Sequence, residues 1–282
     1  MVDTSYGEYR GSGSWGGAGT RHDKTAFVAE LVPSNRKLME FSIELAHTPG
    51  AVAEVASILS KHKVNILTGF HDAKEWSFFA DVTEAESSID DITKEISSLA
   101  IVSKLSLSKI VSEGIIVDTL HQQLVWGPFR SLIIRAEVMS SMLNRIKGIF
   151  GPEGKAGKAI VFGMGEAAGQ DFYKGLANHM SSEIIKSHVG DVVGLLTADG
   201  WGDFRLTSLD LNGMIASVTV LNGFECANRA GSSSSSSFCD FLRGYLAGVF
   251  SETFGKRMDV TETLCVSRGH SHCQFDVSGV KQ

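Results

Sequence analysis

TETLCVSRGHSHC, residues 261–273, places one carboxylate (Glu262), two cysteines (Cys265, Cys273) and two histidines (His270, His272) within one short segment. Zinc takes four ligands in a tetrahedron, drawn from thiolate, imidazole and carboxylate, so a strand and turn this rich in electron-pair donors suits a metal. A further donor, Cys239, stands upstream at the start of an apolar helix. One ligand from a helix and three from a strand and its turn can converge and pin the two elements together. The same residues also fit buried thiols that hold no metal, since free cysteine is a common core residue. Cys226 falls outside this spacing and reads as a packed thiol, although all four cysteines lie in the last fifth of the chain, which favours one shared site.

The chain of 282 residues is 43% hydrophobic and 21% charged, enough apolar material for one large domain or two ordinary ones. Its apolar stretches are broken by Lys, Asp or Ser before the roughly 20 residues that a membrane span needs. A net charge of −6 argues against nucleic-acid binding by the whole chain, which requires a basic surface. No basic-then-apolar signal peptide opens the sequence, so a cytoplasmic location is expected, with the cysteines as thiols or ligands rather than disulfides.

Three regions follow from the patterning. Residues 1–35, with SYGEYRGSGSWGGAGT, read as a disordered Gly/Ser-rich tail. Over residues 36–112 the pattern changes. KLMEFSIELA alternates, with Phe41, Ile43 and Leu45 on one buried side, and HTPGAVAEVASILSKHK carries Val52, Val55, Ile58 and Leu59 at helical spacing. VNILTGFHDA and EWSFFADVT read as strands joined by a turn at residues 72–74. SIDDITKEISSLA sets Ile89, Ile92, Ile96 and Leu99 on one helical stripe, and VSKLSLSKI closes as a strand. The order βαββαβ predicts a ferredoxin-like unit within an α+β chain. Residues 38–110 resemble the ACT domain, through Pro49-Gly50 opening the helix and Asn65-Ile66 in the second strand. Proline fixes φ at the helix entry, and glycine lets backbone amides face a ligand or a neighbouring subunit. The resemblance implies side-by-side pairing into a homodimer with effector binding at that interface, around His47, Pro49, Gly50 and Asn65. His47-Thr48 stand where the family carries an acidic residue, so amino-acid binding and pure dimerisation both stay open.

Residues 113–282 read as a mixed α/β region. FRSLIIRAEVMSSMLNRIKGIFG is a strand followed by a helix, and GKAIVFGMGEAAGQDFYKGLANHM a helix whose Gly165, Ala168 and Gly169 permit close packing. VVGLLTADGWGDFRLTSLDLNGMIASVTVLNGFE is strand-rich, with hairpin signals at Asp199-Gly200 and Asn212-Gly213. The run Ser232–Ser237 reads as a flexible connection. Gly244 and Gly248 then form a packing seam on a helix over residues 238–254.

FCDFLRGYLAG, ETLCVSRGHSHCQF, GWGDF and GEAAG together resemble the 4-vinyl reductase (4VR) domain, over roughly residues 115–278. The resemblance implies a small-molecule pocket bracketed by a structural zinc on Cys239, Glu262, Cys265 and Cys273, with His270 and His272 left to the turn. In phenol-sensing activators that carry this domain a His and a Trp line the pocket. The counterpart of the Trp here is Val220, which with Trp201 and Phe224 points to an apolar ligand. The expectation is a non-enzymatic ligand sensor, of the kind found in transcription regulation, that acts on a partner protein. Two other readings stand beside it: an assembly subunit resembling vesicle-tethering components, and an enzyme of tetrapyrrole metabolism, for which no nicotinamide or flavin fingerprint is present.

Overall fold

Alternating side chains build the sheet of the first unit, which spans residues 18–132. The computed structural model describes residues 28–72, 74–149, 154–226 and 238–280. The unit's elements are β1 (Ala29–Val32), β2 (Leu38–Leu45), α1 (Ala51–Lys61), β3 (Asn65–His71), β4 (Glu75–Asp81), α2 (Ile89–Ser97), β5 (Val102–Leu107), β6 (Gly114–Val117), β7 (Val125–Trp126) and β8 (Phe129–Arg130). Strands β2 to β5 form one antiparallel sheet in the order β3-β4-β2-β5. With α1 and α2 this is the βαββαβ order that the sequence predicts. Gly50, at φ 91°, enters α1 in the left-handed region, which accounts for a glycine after Pro49. The turn into β4 is tied by Asp72, whose Oδ1 accepts from the amides of Lys74 and Glu75 at 2.8 Å each. One face of the sheet packs Met39, Phe41, Ile43 and Phe78 against Val55, Leu59, Ile92 and Ile96 of the helices.

The opposite face corrects the expectation of a strand with one buried side. Leu38 and Phe79 are buried there too, against Val32 and Ile116. These come from β1 and β6, paired antiparallel from Ala29↔Val117 to Val32↔Gly114. Left uncovered, that face would hold Leu38 and Phe79 in water, so the added ribbon removes apolar area at roughly 25 cal/mol per Å². The first unit therefore runs on to Leu132, past the expected boundary at residue 112, and part of the expected tail, residues 29–32, is a strand. Residues 1–27 of that tail lie outside the described residues.

The second unit, residues 133–282, contains α3 (Ala136–Ile149), α4 (Lys155–Ala177), α5 (Ser182–Ser187), α6 (Val189–Ala198), β9 (Asp203–Asp210), β10 (Ile215–Leu221), α7 (Asp240–Phe254), β11 (Met258–Leu264) and β12 (Cys273–Gly279). Its antiparallel sheet runs β11-β12-β10-β9. The residues VVGLLTA, expected in a strand-rich stretch, are helical in α6; so short an apolar run has no decisive period. Asp199-Gly200 ends that helix, with Gly200 at φ 79°, instead of making a hairpin. Asn212-Gly213 does turn β9 into β10, both amides donating to Asp210 Oδ1 at 3.0 and 2.9 Å.

Helices α4 and α7 meet backbone to backbone through the expected glycine seam. A Cβ on Gly165 or Gly169 would collide with the carbonyl oxygen of Phe241 or Tyr245. One on Gly244 or Gly248 would collide with that of Phe162 or Glu166. The serine run 232–237 lies outside the described residues. Among those residues no helix is long and apolar enough to cross a membrane.

Candidate metal centre

The antiparallel pairing of β11 and β12 shifts register between Glu262 and Leu264, just before Cys265. Cys265 leads into a single 3-10 turn, Val266–Arg268, closed by Gly269 at φ 87°, and the chain returns at Cys273 to start β12. Cys239 is the N-cap residue of α7. These elements bring Cys239, Glu262, Cys265 and Cys273 together, and a fifth donor joins them. Cys226, expected to pack outside the group, lies in it, with one ligand atom from each of the five residues within 4.8 Å of the others.

All four cysteines are buried and free. The Sγ–Sγ distances are 3.3 Å for Cys226–Cys273, 3.7 Å for Cys239–Cys273, and 4.0 Å for both Cys226–Cys265 and Cys265–Cys273. A disulfide would need about 2.05 Å. A tetrahedron of thiolates about 2.3 Å from a central zinc has edges of about 3.8 Å, and the measured separations bracket that length.

The histidines of the segment do not join the group. His270 Nδ1 accepts from the Cys265 amide at 3.2 Å, and His272 Nδ1 lies 3.0 Å from Ser271 Oγ. Both stay in the turn.

Charge makes the same case for a cation. Burial, then the neighbouring thiols, pushes the Cys239 thiol up, and burial followed by Cys265 pushes Glu262 up to about 8. Hydrogen bonds from Cys226, Cys239 and Cys273 hold Cys265 well below the usual thiol range. Without a cation the donors resist ionising beside one another, whereas a bound divalent ion favours the deprotonated thiolates. Soft thiolate donors, buried and at tetrahedral spacing, fit zinc.

Two buried carboxylates complete the N-terminus of α7. Glu262 Oε2 accepts from the amides of Phe238 and Cys239 at 3.2 and 3.3 Å. Glu225 accepts from the amides of Phe241 and Leu242 at 3.1 and 3.0 Å. Amides that the helix itself cannot satisfy thus meet negative charge, as the helix dipole favours. Lys147 of α3 answers that charge from a buried position. Its Nζ lies 2.7 Å from Glu225 Oε1, 2.5 Å from the Phe238 carbonyl oxygen and 3.4 Å from Asp240 Oδ2.

The expected ligand residues divide. Trp201 and Phe224 meet, rings 5.6 Å apart, in an aromatic group with Phe241 and Tyr245 of α7, and the Trp201–Tyr245 centroids are 4.9 Å apart. Val220 is fully buried on β10, directly opposite Cys273 on β12. In the first unit His47, Pro49 and Gly50 occupy the exposed turn before α1, while Asn65 begins β3. Asn65 lines a cleft of about 380 Å³ with Ala56, Leu59, Ser60, Lys63, Val64 and Ile66; the other three residues are not part of that lining.

A second titratable group went unread in the sequence. Glu40 is fully buried, and its Oε2 accepts from the Thr119 amide at 3.0 Å. His121 Nδ1 lies 2.9 Å from Asp118, and its Nε2 lies 3.1 Å from Glu75. Burial pushes Glu40 up to about 7 against the pull of the Thr119 amide, with the Asp118 carboxyl adding to the rise. Burial opposes charge on His121, but its bonds to Asp118 and Glu75 outweigh that and raise its pKa. The one available signal was a glutamate at the centre of the apolar strand LMEFSIEL.

Residues 219–278 match the family model of the vinyl-4-reductase domain, the domain type to which the cysteine and glycine motifs point. The matched stretch contains all five donors. No curated protein matches the chain. Among solved structures, the phenol-responsive sensory domain of the transcription activator PoxR, determined with phenol, shares 19% identity, covering 54% of this chain and 77% of that one, with a TM-score of 0.45. A vinyl-4-reductase family protein from Methanocaldococcus jannaschii shares 21% identity over 54% of this chain and 85% of its own, with a TM-score of 0.35. Trafficking protein particle complex subunit 3 from Naegleria fowleri, covalently bound to palmitic acid, shares 10% over 51% and 90%, with a TM-score of 0.34. All three are distant likenesses.

Proposed function

We propose that this chain is a cytoplasmic, non-enzymatic ligand-sensing regulator whose second unit binds an apolar small molecule beside a structural zinc. The observation that carries the reading is that one helix serves both tasks. The first turn of α7 presents Cys239 to the donor group, and Phe241 and Tyr245, in its next turns, join Trp201 and Phe224. A zinc here would lock the start of α7 to β11 and β12, and the chain's own residues would then hold the aromatic group in place. Four ligands drawn from this set leave no open position for water or substrate, which marks a structural centre. Free, buried cysteines suit a reducing compartment.

The first unit supplies pairing in this proposal, as an ACT-type domain. Strand β3 lies at a sheet edge, with Ile66, Leu67 and Phe70 partly exposed along it, and such an edge can be completed by a second copy. Output then passes to a partner protein.

Native mass spectrometry of the full chain tests all three elements together and is expected to report a dimer with one zinc per chain and a bound apolar molecule. Trp201→Ala and Phe224→Ala should each weaken that molecule's binding about tenfold or more, the loss of roughly 1.4 kcal/mol of aromatic contact, with zinc content unchanged. Unaltered affinity in both variants, with Gly50→Val abolishing binding, would move the ligand site to the first unit.

A further inference from the structure

We infer that the metal of this chain is held by four thiolates, Cys226, Cys239, Cys265 and Cys273, and that Glu262 is a positioning residue rather than the fourth ligand. This rests on the proposed zinc. Five donors compete for four places, and three features of the structure decide between Cys226 and Glu262.

The first is spacing. Cys226 Sγ stands 3.3 Å from Cys273 and 4.0 Å from Cys265, the same range that separates the other thiols from one another. Were Cys226 not a ligand, a neutral thiol would be packed against thiolates in a buried site.

The second is the task already assigned to Glu262. Its Oε2 accepts two amides, those of Phe238 and Cys239, at the start of α7. It therefore ties the Cys239 backbone to β11, the kind of support that orients a ligand without touching the metal.

The third is that Cys226 is held in place by built structure. Its neighbour Glu225 caps α7 at the Phe241 and Leu242 amides. Lys147 then clamps Glu225 to the Phe238 carbonyl and to Asp240, the residues flanking Cys239. One buried ammonium group thus ties the residue before Cys226 to both neighbours of Cys239. The two thiols are brought together by a device independent of the strand–turn–strand that carries Cys265 and Cys273.

X-ray absorption at the zinc edge on the full, zinc-loaded chain reads the ligand set directly. Four sulfur neighbours at about 2.3 Å are expected, against three sulfurs and one oxygen for a glutamate-ligated centre. Glu262→Gln should keep all four sulfurs, and Cys226→Ser should reduce them to three. The cobalt-substituted protein gives a second readout, since its thiolate-to-metal charge-transfer band should weaken in Cys226→Ser and hold its intensity in Glu262→Gln. If Cys226→Ser does not fold, the wild-type spectrum and Glu262→Gln still decide. Three sulfurs in the wild type, or loss of an oxygen neighbour in Glu262→Gln, overturns the inference while leaving the zinc reading intact. Absence of zinc from protein purified without chelator overturns the zinc reading itself.

Discussion

Replacing Lys147 by methionine removes a charge and little else. Methionine fills nearly the same volume as the lysine stem, so the packing change should cost under about 1.5 kcal/mol. The electrostatic change is larger. Lys147 loses its contacts with Glu225, the Phe238 carbonyl and Asp240. Glu225, almost completely buried, keeps its two helix amides but no counter-charge. Burial already pushes the Glu225 carboxyl upward, and Lys147 is the leading influence against that rise. Breaking such a buried pair from one side costs about 3–5 kcal/mol. Urea unfolding of the zinc-saturated protein, followed by far-ultraviolet circular dichroism, should show Lys147→Met losing that amount. Adding Glu225→Gln should recover part of it, because the residual charge is gone. A loss below about 1 kcal/mol, with no recovery in the double variant, would refute the claim that Lys147 answers buried charge at the head of α7.

At the α4–α7 seam, Gly248→Ala should destabilise by about 1–3 kcal/mol through collision with the Glu166 carbonyl, while Gly163→Ala, which meets nothing within 4 Å, should stabilise by up to about 1 kcal/mol; opposite shifts in melting temperature check the pair. Cys265→Ser should lower stability by several kcal/mol and abolish tight zinc binding, against the roughly 10 kcal/mol or more that a structural zinc supplies; elemental analysis and chemical unfolding measure both. Glu40 has a folded pKa of about 7 against an ordinary 4.5, so the folded state binds the extra proton and stability from this group falls as pH rises through that window. Glu40→Gln should gain up to about 3 kcal/mol relative to the wild type between pH 4.5 and pH 7, and a flat difference across that range would show that Glu40 ionises freely.

The βαββαβ unit was legible because its signals are local. Alternation in LMEFSIEL, the Pro49-Gly50 entry and the Ile89, Ile92, Ile96 stripe each specify an element without reference to the rest of the chain. The β1–β6 ribbon was not, since Ala29 pairs with Val117 across a long stretch of intervening sequence and neither strand has a period of its own. The same distinction runs through the donor group. Glu262, Cys265 and Cys273 share a strand and its turn, with Cys239 at a recognisable helix start. Cys226 reaches them through Glu225 and the charge of Lys147, a contact that no spacing rule encodes. Glu40 was hidden for a similar reason. On a strand expected to have a solvent face it looked ordinary, and only the ribbon across that face makes it buried.

The glycine seam has a mechanical meaning. Each helix offers two glycines four residues apart, and each of the four lies against a carbonyl of the other helix. Sliding one helix by a single residue, about 1.5 Å, would drive a Cβ into backbone. Sliding by a whole turn, about 5.4 Å, gives no new resting place, because Val161 and Tyr173 are the next residues in line on α4. The pair has one notch and no neighbouring one. A signal arriving at the aromatic side of α7 cannot travel as a piston stroke; it must pass as a tilt about the seam or as fraying at the thiol-bearing end.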